Sequence, residues 1–262
     1  MQTFTASDGT AIAYRLWERS SDLPLVVLHH GFISDAHVNW VGPGIVDALL
    51  TSGRRVAAID ARGHGASDKP HDPESYGEAR MADDLAQLID ILDEPTVDLV
   101  GYSTGAVVSL ILATRDPRVR RLAIGGVGAA VAEFGGVDTR VLHGPTLAEA
   151  LTTAEPERIT DYVAAAFRTF ADAIDGDRKA LAAQAMAMHD SPLPLGSITA
   201  PALILAGAED KLAAHPDVLA KAIPGAAVRL IDGDHLGILR EPAFVSTLTE
   251  FLNRSPAPHP VG

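Results

Sequence analysis

The sequence predicts an α/β fold, a mostly parallel sheet flanked by helices, and three observations carry that prediction. Short runs rich in Val, Ile and Leu recur along the chain, they alternate with longer segments of helical spacing, and their apolarity is continuous rather than confined to every second residue. Continuous apolarity means that both faces of a strand are covered, as happens when helices lie on both sides of a parallel sheet. A length of 262 residues, 47% of them hydrophobic and 21% charged, suits one globular domain with a large core.

Taken in order, residues 4–18 read as an antiparallel hairpin at one edge, turned at Asp8-Gly9. Strands follow at 25–30 (LVVLHH) and 55–60 (RVAAID), a helix at 80–93, a strand at 97–102 (VDLVGY), a helix at 104–115 and a strand at 121–127. The rhythm then breaks and resumes near 201. The intervening stretch is Ala-rich and helical in pattern at 155–174 and 177–190, which marks 128–195 as a helical cap inserted over one end of the sheet. After it come a strand at 202–207 (ALILAG), a helix at 211–222 with Pro216 as an alternative start, a strand at 227–232 (AVRLID) and a helix at 242–253, where Pro242 suits a first turn. The core is therefore expected at 1–127 and 196–254, and the Pro-rich tail 255–262 is expected to be disordered.

Charge and composition narrow the partners. A formal charge of −13 repels phosphate backbones and anionic lipid surfaces, so the expected partner is a small molecule rather than nucleic acid or membrane. With no cysteine, disulfides, thiolate nucleophiles and Cys-ligated metal or iron–sulfur sites are excluded together. His29, His30, His64 and His235 form no metal-ligand spacing, so no metal is expected. The first residues lack a basic, then apolar, secretory pattern, and no apolar run approaches the roughly 20 residues that span a bilayer, so a soluble cytoplasmic protein is expected.

The segment GYSTG, residues 101–105, places Ser103 where a strand ends and a helix begins. A serine in so sharp a turn needs glycines before and after it, because side chains there would strike the neighbouring strand and helix. A serine hydroxyl alone is a poor nucleophile and requires a base with a group to orient it. Asp210 follows the strand ALILAG and His235 follows AVRLID, both at the carboxyl ends of strands where the ligands of open α/β sheets gather. Glu209, Asp232 and Asp234 compete as the acid, but Asp232 and Asp234 lie too close in sequence to His235 to come from a separate strand.

A serine attacking a carbonyl creates an oxyanion that fixed N–H donors must hold. Thr104 supplies one backbone N–H at the helix start, and Phe32, in the loop after LVVLHH with Gly31 turning the chain inward, supplies the second. The stretch 60–70, DARGHGASDKP, is read as structural, with Arg62 in a buried ion pair holding the loop.

Together, His30-Gly31-Phe32, the DxRGHGxS run from Asp60 to Ser67, GYSTG, Asp210 and the GDH ending in His235 resemble the α/β-hydrolase superfamily over residues 25–250. The resemblance implies a mostly parallel sheet, catalytic Ser103, Asp210 and His235, a small cap and no cofactor. Thr104 departs from the apolar residue often found at its position. A serine rather than an aspartate nucleophile disfavours haloalkane dehalogenase and epoxide hydrolase chemistry. The leading expectation is a carboxylesterase-type hydrolase acting on a small, largely apolar ester through an acyl-enzyme on Ser103. Acyl transfer, perhydrolysis or carbon–carbon bond hydrolysis by the same residues are alternatives, as is a ligand receptor on the same fold. Trp40, Tyr102, Phe134 and Leu236 are the expected substrate contacts, and Leu142, Leu147, Phe167, Phe170, Met186 and Met188 are further apolar candidates from the cap.

Overall fold

A computed structural model describes residues 1–254. Its strands are β1 (Gln2–Thr5), β2 (Ala11–Trp17), β3 (Leu25–His29), β4 (Val56–Asp60), β5 (Val97–Tyr102), β6 (Val119–Gly125), β7 (Ala202–Gly207) and β8 (Ala227–Ile231). They form one sheet in the order β1-β2-β4-β3-β5-β6-β7-β8, in which β2 is antiparallel to both its neighbours and every pair from β4 onward is parallel.

The helices are α1 (Ile45–Thr51), α2 (Glu78–Ile91), α3 (Thr104–Ala113), α4 (Ala129–Phe134), α5 (Gly144–Thr152), α6 (Tyr162–Ala173), α7 (Arg178–Ala185), α8 (Pro216–Ala222) and α9 (Pro242–Asn253). Two apolar layers explain the continuous strand patterns. Leu25, Val27, Ala57 and Leu99 pack with Leu85 of α2, Leu110 of α3 and Leu219 of α8. Their neighbours in sequence, Val26, Leu28, Ala58 and Val100, pack on the opposite face with Leu49 of α1 and Phe244 and Leu248 of α9. Alternate residues of one run thus fill different layers, which a strand exposed on one face could not do.

Between β6 and β7 the chain leaves the sheet. Helix α4 stays against α8, with Ala129 N–H donating to Ala214 O at 2.9 Å. A separate apolar cluster joins Leu147 and Leu151 of α5, Ala164 and Ala171 of α6 and Leu181 of α7 to Phe32, Ile33 and Leu212 of the sheet's loops. These helices are therefore seated directly on the loops at the carboxyl ends of the strands.

Several expectations change. The helix expected over 155–174 begins only after Asp161, whose side chain accepts the Ala164 N–H at 2.8 Å and so caps α6; before it, Pro156–Arg158 makes a single 3-10 turn. The segment expected over 177–190 ends as a helix at Ala185. Strand β8 is not buried on both faces: it pairs only with β7 at the sheet's edge, and Leu230 is 64% exposed. Helix α1 and a π-helical turn over His37–Val41 were not expected. Among the described residues no helix is long and apolar enough to cross a membrane. The expectation for the tail 255–262 falls outside the described residues.

Candidate active site

Ser103 sits between β5 and α3 with φ 54° and ψ −119°, a left-handed backbone that a non-glycine residue adopts at a cost of about 1–3 kcal/mol. Its N–H donates to Gly125 O at 2.8 Å, and its carbonyl accepts the Ala106 N–H at 2.8 Å. The flanking glycines are required by space: a Cβ on Gly101 would lie 2.2 Å from Gly105 O, and one on Gly105 would lie 2.3 Å from His29 O. The turn thus presses β5, α3 and the end of β3 together and lifts the serine above the strand ends.

Asp210 and His235 reach that serine from the loops after β7 and β8. Asp210 caps the 3-10 turn Lys211–Ala213, and its Oδ1 accepts the Leu212 N–H at 2.9 Å. Its other oxygen, Oδ2, is 2.8 Å from His235 Nδ1, while His235 Nε2 is 3.0 Å from Ser103 Oγ. With Nδ1–H donating to the carboxylate, Nε2 is left to accept the serine hydroxyl proton. The competing acids are elsewhere: Glu209 and Asp232 are exposed, and Asp234 Oδ1 accepts the Gly237 N–H at 2.7 Å.

Tyr102 has a role that its sequence position did not reveal. Its hydroxyl donates to His235 O at 2.5 Å, and its ring lies 5.4 Å from the imidazole. Burial pushes the phenol well above its ordinary pKa, so it stays a donor. A Cβ on Gly126 would lie 2.8 Å from the tyrosine Cζ, so this glycine makes room for the ring.

The loop after β3 approaches Ser103 closely, since a Cβ on Gly31 would stand 3.1 Å from Ser103 Cβ. Among the described residues neither the Phe32 N–H nor the Thr104 N–H has a hydrogen-bond partner. The two N–H groups that flank Phe32 are engaged: Gly31 N–H donates to Asn39 Oδ1 at 2.8 Å and Ile33 N–H to His64 Nε2 at 3.1 Å. His30 ties the same loop to β4, its Nε2 accepting the Ala61 N–H at 2.9 Å and its Nδ1–H donating to Gly31 O at 2.8 Å. Both rings therefore act as neutral acceptors at Nε2. Burial pushes the pKa of His30 and of His64 down to about 3, and that of His29 down to about 4. Asn39 follows the glycine by too many residues for any motif to have flagged it.

The DxRGHGxS loop braces this arrangement. Asp60 accepts the Ala36 and Ala66 N–H groups, both at 3.0 Å, and buried Arg62 makes a two-pronged ion pair with Asp84 at 2.7 and 2.8 Å.

Of the expected substrate contacts, Tyr102 and Leu236 line the pocket over Ser103, together with Phe32, Phe167 and Phe170. Trp40 does not: it is wholly buried in the apolar layer between the sheet and α1 and α9, where its bulk fills the core. Phe134 does not either, because it ends α4 on the outer surface with the Arg140 guanidinium stacked 4.9 Å from its ring centre. Leu142 and Leu147 are buried within the cap cluster, and Met186 is exposed. Among the described residues no three His, Asp or Glu side chains converge as metal ligands would.

A family model for the alpha/beta hydrolase fold matches residues 24–135. Over 108 residues the chain is 42% identical to a non-heme chloroperoxidase of Streptomyces lividans, covering 40% of this chain and 36% of that protein. The chain spans between about a third and a half of the length of the curated relatives it matches. A crystal structure of a hydrolase from Pseudomonas aeruginosa is 31% identical with a TM-score of 0.73, covering 97% of this chain and 98% of that one. The enol-lactonase from Burkholderia xenovorans is 27% identical with a TM-score of 0.77, covering 97% of this chain and 100% of the other.

Proposed function

The chain belongs to the alpha/beta hydrolase superfamily, and from that premise we propose that it is a serine hydrolase cleaving a carboxylic ester or related acyl bond. The observation that carries the reading is the unbroken hydrogen-bonded line from Asp210 through His235 to a Ser103 held in a left-handed turn. His235 Nε2 takes the proton as Ser103 Oγ attacks the carbonyl, and Asp210 stabilises the imidazolium that forms. The unpaired N–H groups of Phe32 and Thr104 receive the oxyanion. The proton then passes from His235 to the leaving alcohol, and water, deprotonated by the same imidazole, releases the acid from the acyl-serine.

The test is hydrolysis of p-nitrophenyl esters of increasing chain length. Wild-type protein should turn them over, and Ser103→Ala, His235→Ala and Asp210→Ala should each lower kcat by about 10³- to 10⁶-fold. Equal activity of wild type and Ser103→Ala in clean preparations contradicts the reading.

The identity to a chloroperoxidase supports a second reading, in which peroxide rather than water intercepts the acyl-serine. Partition of product between acid and peracid as hydrogen peroxide is raised separates the two. A hydrolase yields acid alone at every peroxide concentration.

A further inference from the structure

The pocket over Ser103 does not end at the serine. It continues through Phe170, His235 and Leu236 into a groove between the π-helical turn His37–Val41 and the 3-10 turn Ile238–Arg240. Where it meets the serine pocket this groove is lined by Asn39, Tyr102 and His235, and its remaining walls are apolar, formed by Val38, Pro43, Phe170, Leu236 and Leu239, with Leu236 56% exposed. Its outer part carries one permanent charge, Arg240, and no carboxylate lines it.

Arg240 differs from most arginines of this chain. Arg54, Arg62, Arg118 and Arg168 are each tied to an aspartate and serve the fold. Arg240 is anchored through its backbone, with its N–H donating to Gly237 O at 2.9 Å and Ile238 and Leu239 buried beside it. Yet its exposed guanidinium makes no hydrogen bond and no ion pair among the described residues. In a chain of net charge −13, an unpaired cation at the end of an apolar groove that starts at a nucleophile selects the far end of a substrate.

Resting on the serine-hydrolase reading, the geometry points to a substrate that carries a carboxylate: an ester or lactone whose apolar chain lies along Phe170, Leu236 and Leu239 and whose distal carboxylate is received by Arg240. The planar guanidinium suits a carboxylate because two N–H groups can meet its two oxygens. Arg240 is thereby a specificity determinant and takes no part in bond breaking.

The experiment compares p-nitrophenyl monoesters of adipic, suberic and sebacic acid with the p-nitrophenyl esters of hexanoic, octanoic and decanoic acid. The same comparison is made with the carboxylate moved to the alcohol side. In one of the two orientations, at the chain length that spans the groove, kcat/KM for the anionic ester should exceed that for the neutral ester by about three- to tenfold, mostly through KM. Added salt should erode the preference. Arg240→Gln should bring the ratio to one, and Arg240→Lys should restore part of it. A ratio of one or below for wild type in both orientations, or a preference that survives Arg240→Gln, overturns the inference while leaving ester hydrolysis intact. Failure of wild type to cleave any of the neutral esters overturns the serine-hydrolase reading and this inference with it.

Discussion

His64 accepts the backbone N–H of Ile33 through Nε2 at 3.1 Å, and Ile33, a β-branched residue, is held at φ 64°. A left-handed backbone is costly for such a side chain, so something must fix it there. The acceptor on His64 does so from the DxRGHGxS loop, and the peptide it fixes is next to Phe32. The two glycine-containing loops are thus one device: one offers the N–H, the other aims it.

Removing that acceptor should misdirect the Phe32 donor. His64→Ala is expected to lower kcat on p-nitrophenyl esters by about 10- to 10²-fold with KM little changed. It should also cost about 1–3 kcal/mol of stability, because the buried Ile33 N–H loses its partner. His64→Gln, which can still present an acceptor oxygen, should recover part of both. Steady-state kinetics and urea unfolding of the two variants check this.

Glycines should separate into two groups by what surrounds them and by the sign of φ: Gly105 lies within α3 and is confined by space, whereas Gly53 has a positive φ and open surroundings. At Gly105 an added methyl would meet the carbonyls of His29 and His30 at 2.3 and 2.4 Å, so Gly105→Ala should cost about 4 kcal/mol or more, or abolish soluble expression. At Gly53, φ 94° with nothing within 4 Å, the same change should cost only about 1 kcal/mol of backbone strain. Urea midpoints of the two variants, compared at equal m-value, decide the point.

Tyr102→Phe keeps the ring against His235 and deletes its bond to the His235 carbonyl. Loss of that buried bond should cost about 1–2 kcal/mol and loosen the imidazole's aim, lowering kcat more than it raises KM. An unchanged kcat in the phenylalanine variant would show that the hydroxyl does not position the base.

Stability should fall between pH 6.5 and 5. His29, His30 and His64 have folded pKa values pushed down to about 4, 3 and 3 from 6.5, so the unfolded chain binds their protons first. Their contribution is complete above pH 6.5 and is lost as the pH falls towards the folded values. Buried Glu78 opposes them: its pKa is raised to about 7 from 4.5, so it favours the folded state as the pH falls through the same range. Three groups against one leave less than one net proton at pH 6.5, where the unfolded histidines are half charged, and about two near pH 5, so the slope steepens to about 3 kcal/mol per pH unit at the acid end of the range. Urea melts at pH 6.5, 6 and 5 measure it, and His64→Gln should remove one proton from the slope.

The inner parallel strands were legible because they are buried on both faces and show it as mainly apolar runs, interrupted in β5 only by Asp98, which is buried against Arg54. The run at β8 looked the same, yet it lies at the sheet's edge; strand order comes from packing, and composition does not record it. Ser103, Asp210 and His235 were legible because each follows its own strand. Trp40 and Phe134 were misplaced for a common reason: an aromatic side chain near a site in sequence points wherever its backbone turns it, into the core for Trp40 and out to Arg140 for Phe134. Asn39 and the hydroxyl of Tyr102 act on backbone atoms of other loops, and hydrogen bonds of that kind leave no spacing behind. Helix α1 was hidden by the Gly42-Pro43-Gly44 run just before it, which reads as a loop.

The central claim is that Ser103 is an activated nucleophile, and a serine-directed fluorophosphonate tests it most directly. Wild-type protein incubated with the probe should gain the mass of one adduct, located by peptide mapping on Ser103, while Ser103→Ala treated in parallel gains none. An unmodified wild type, or an adduct that persists in Ser103→Ala, would contradict the account.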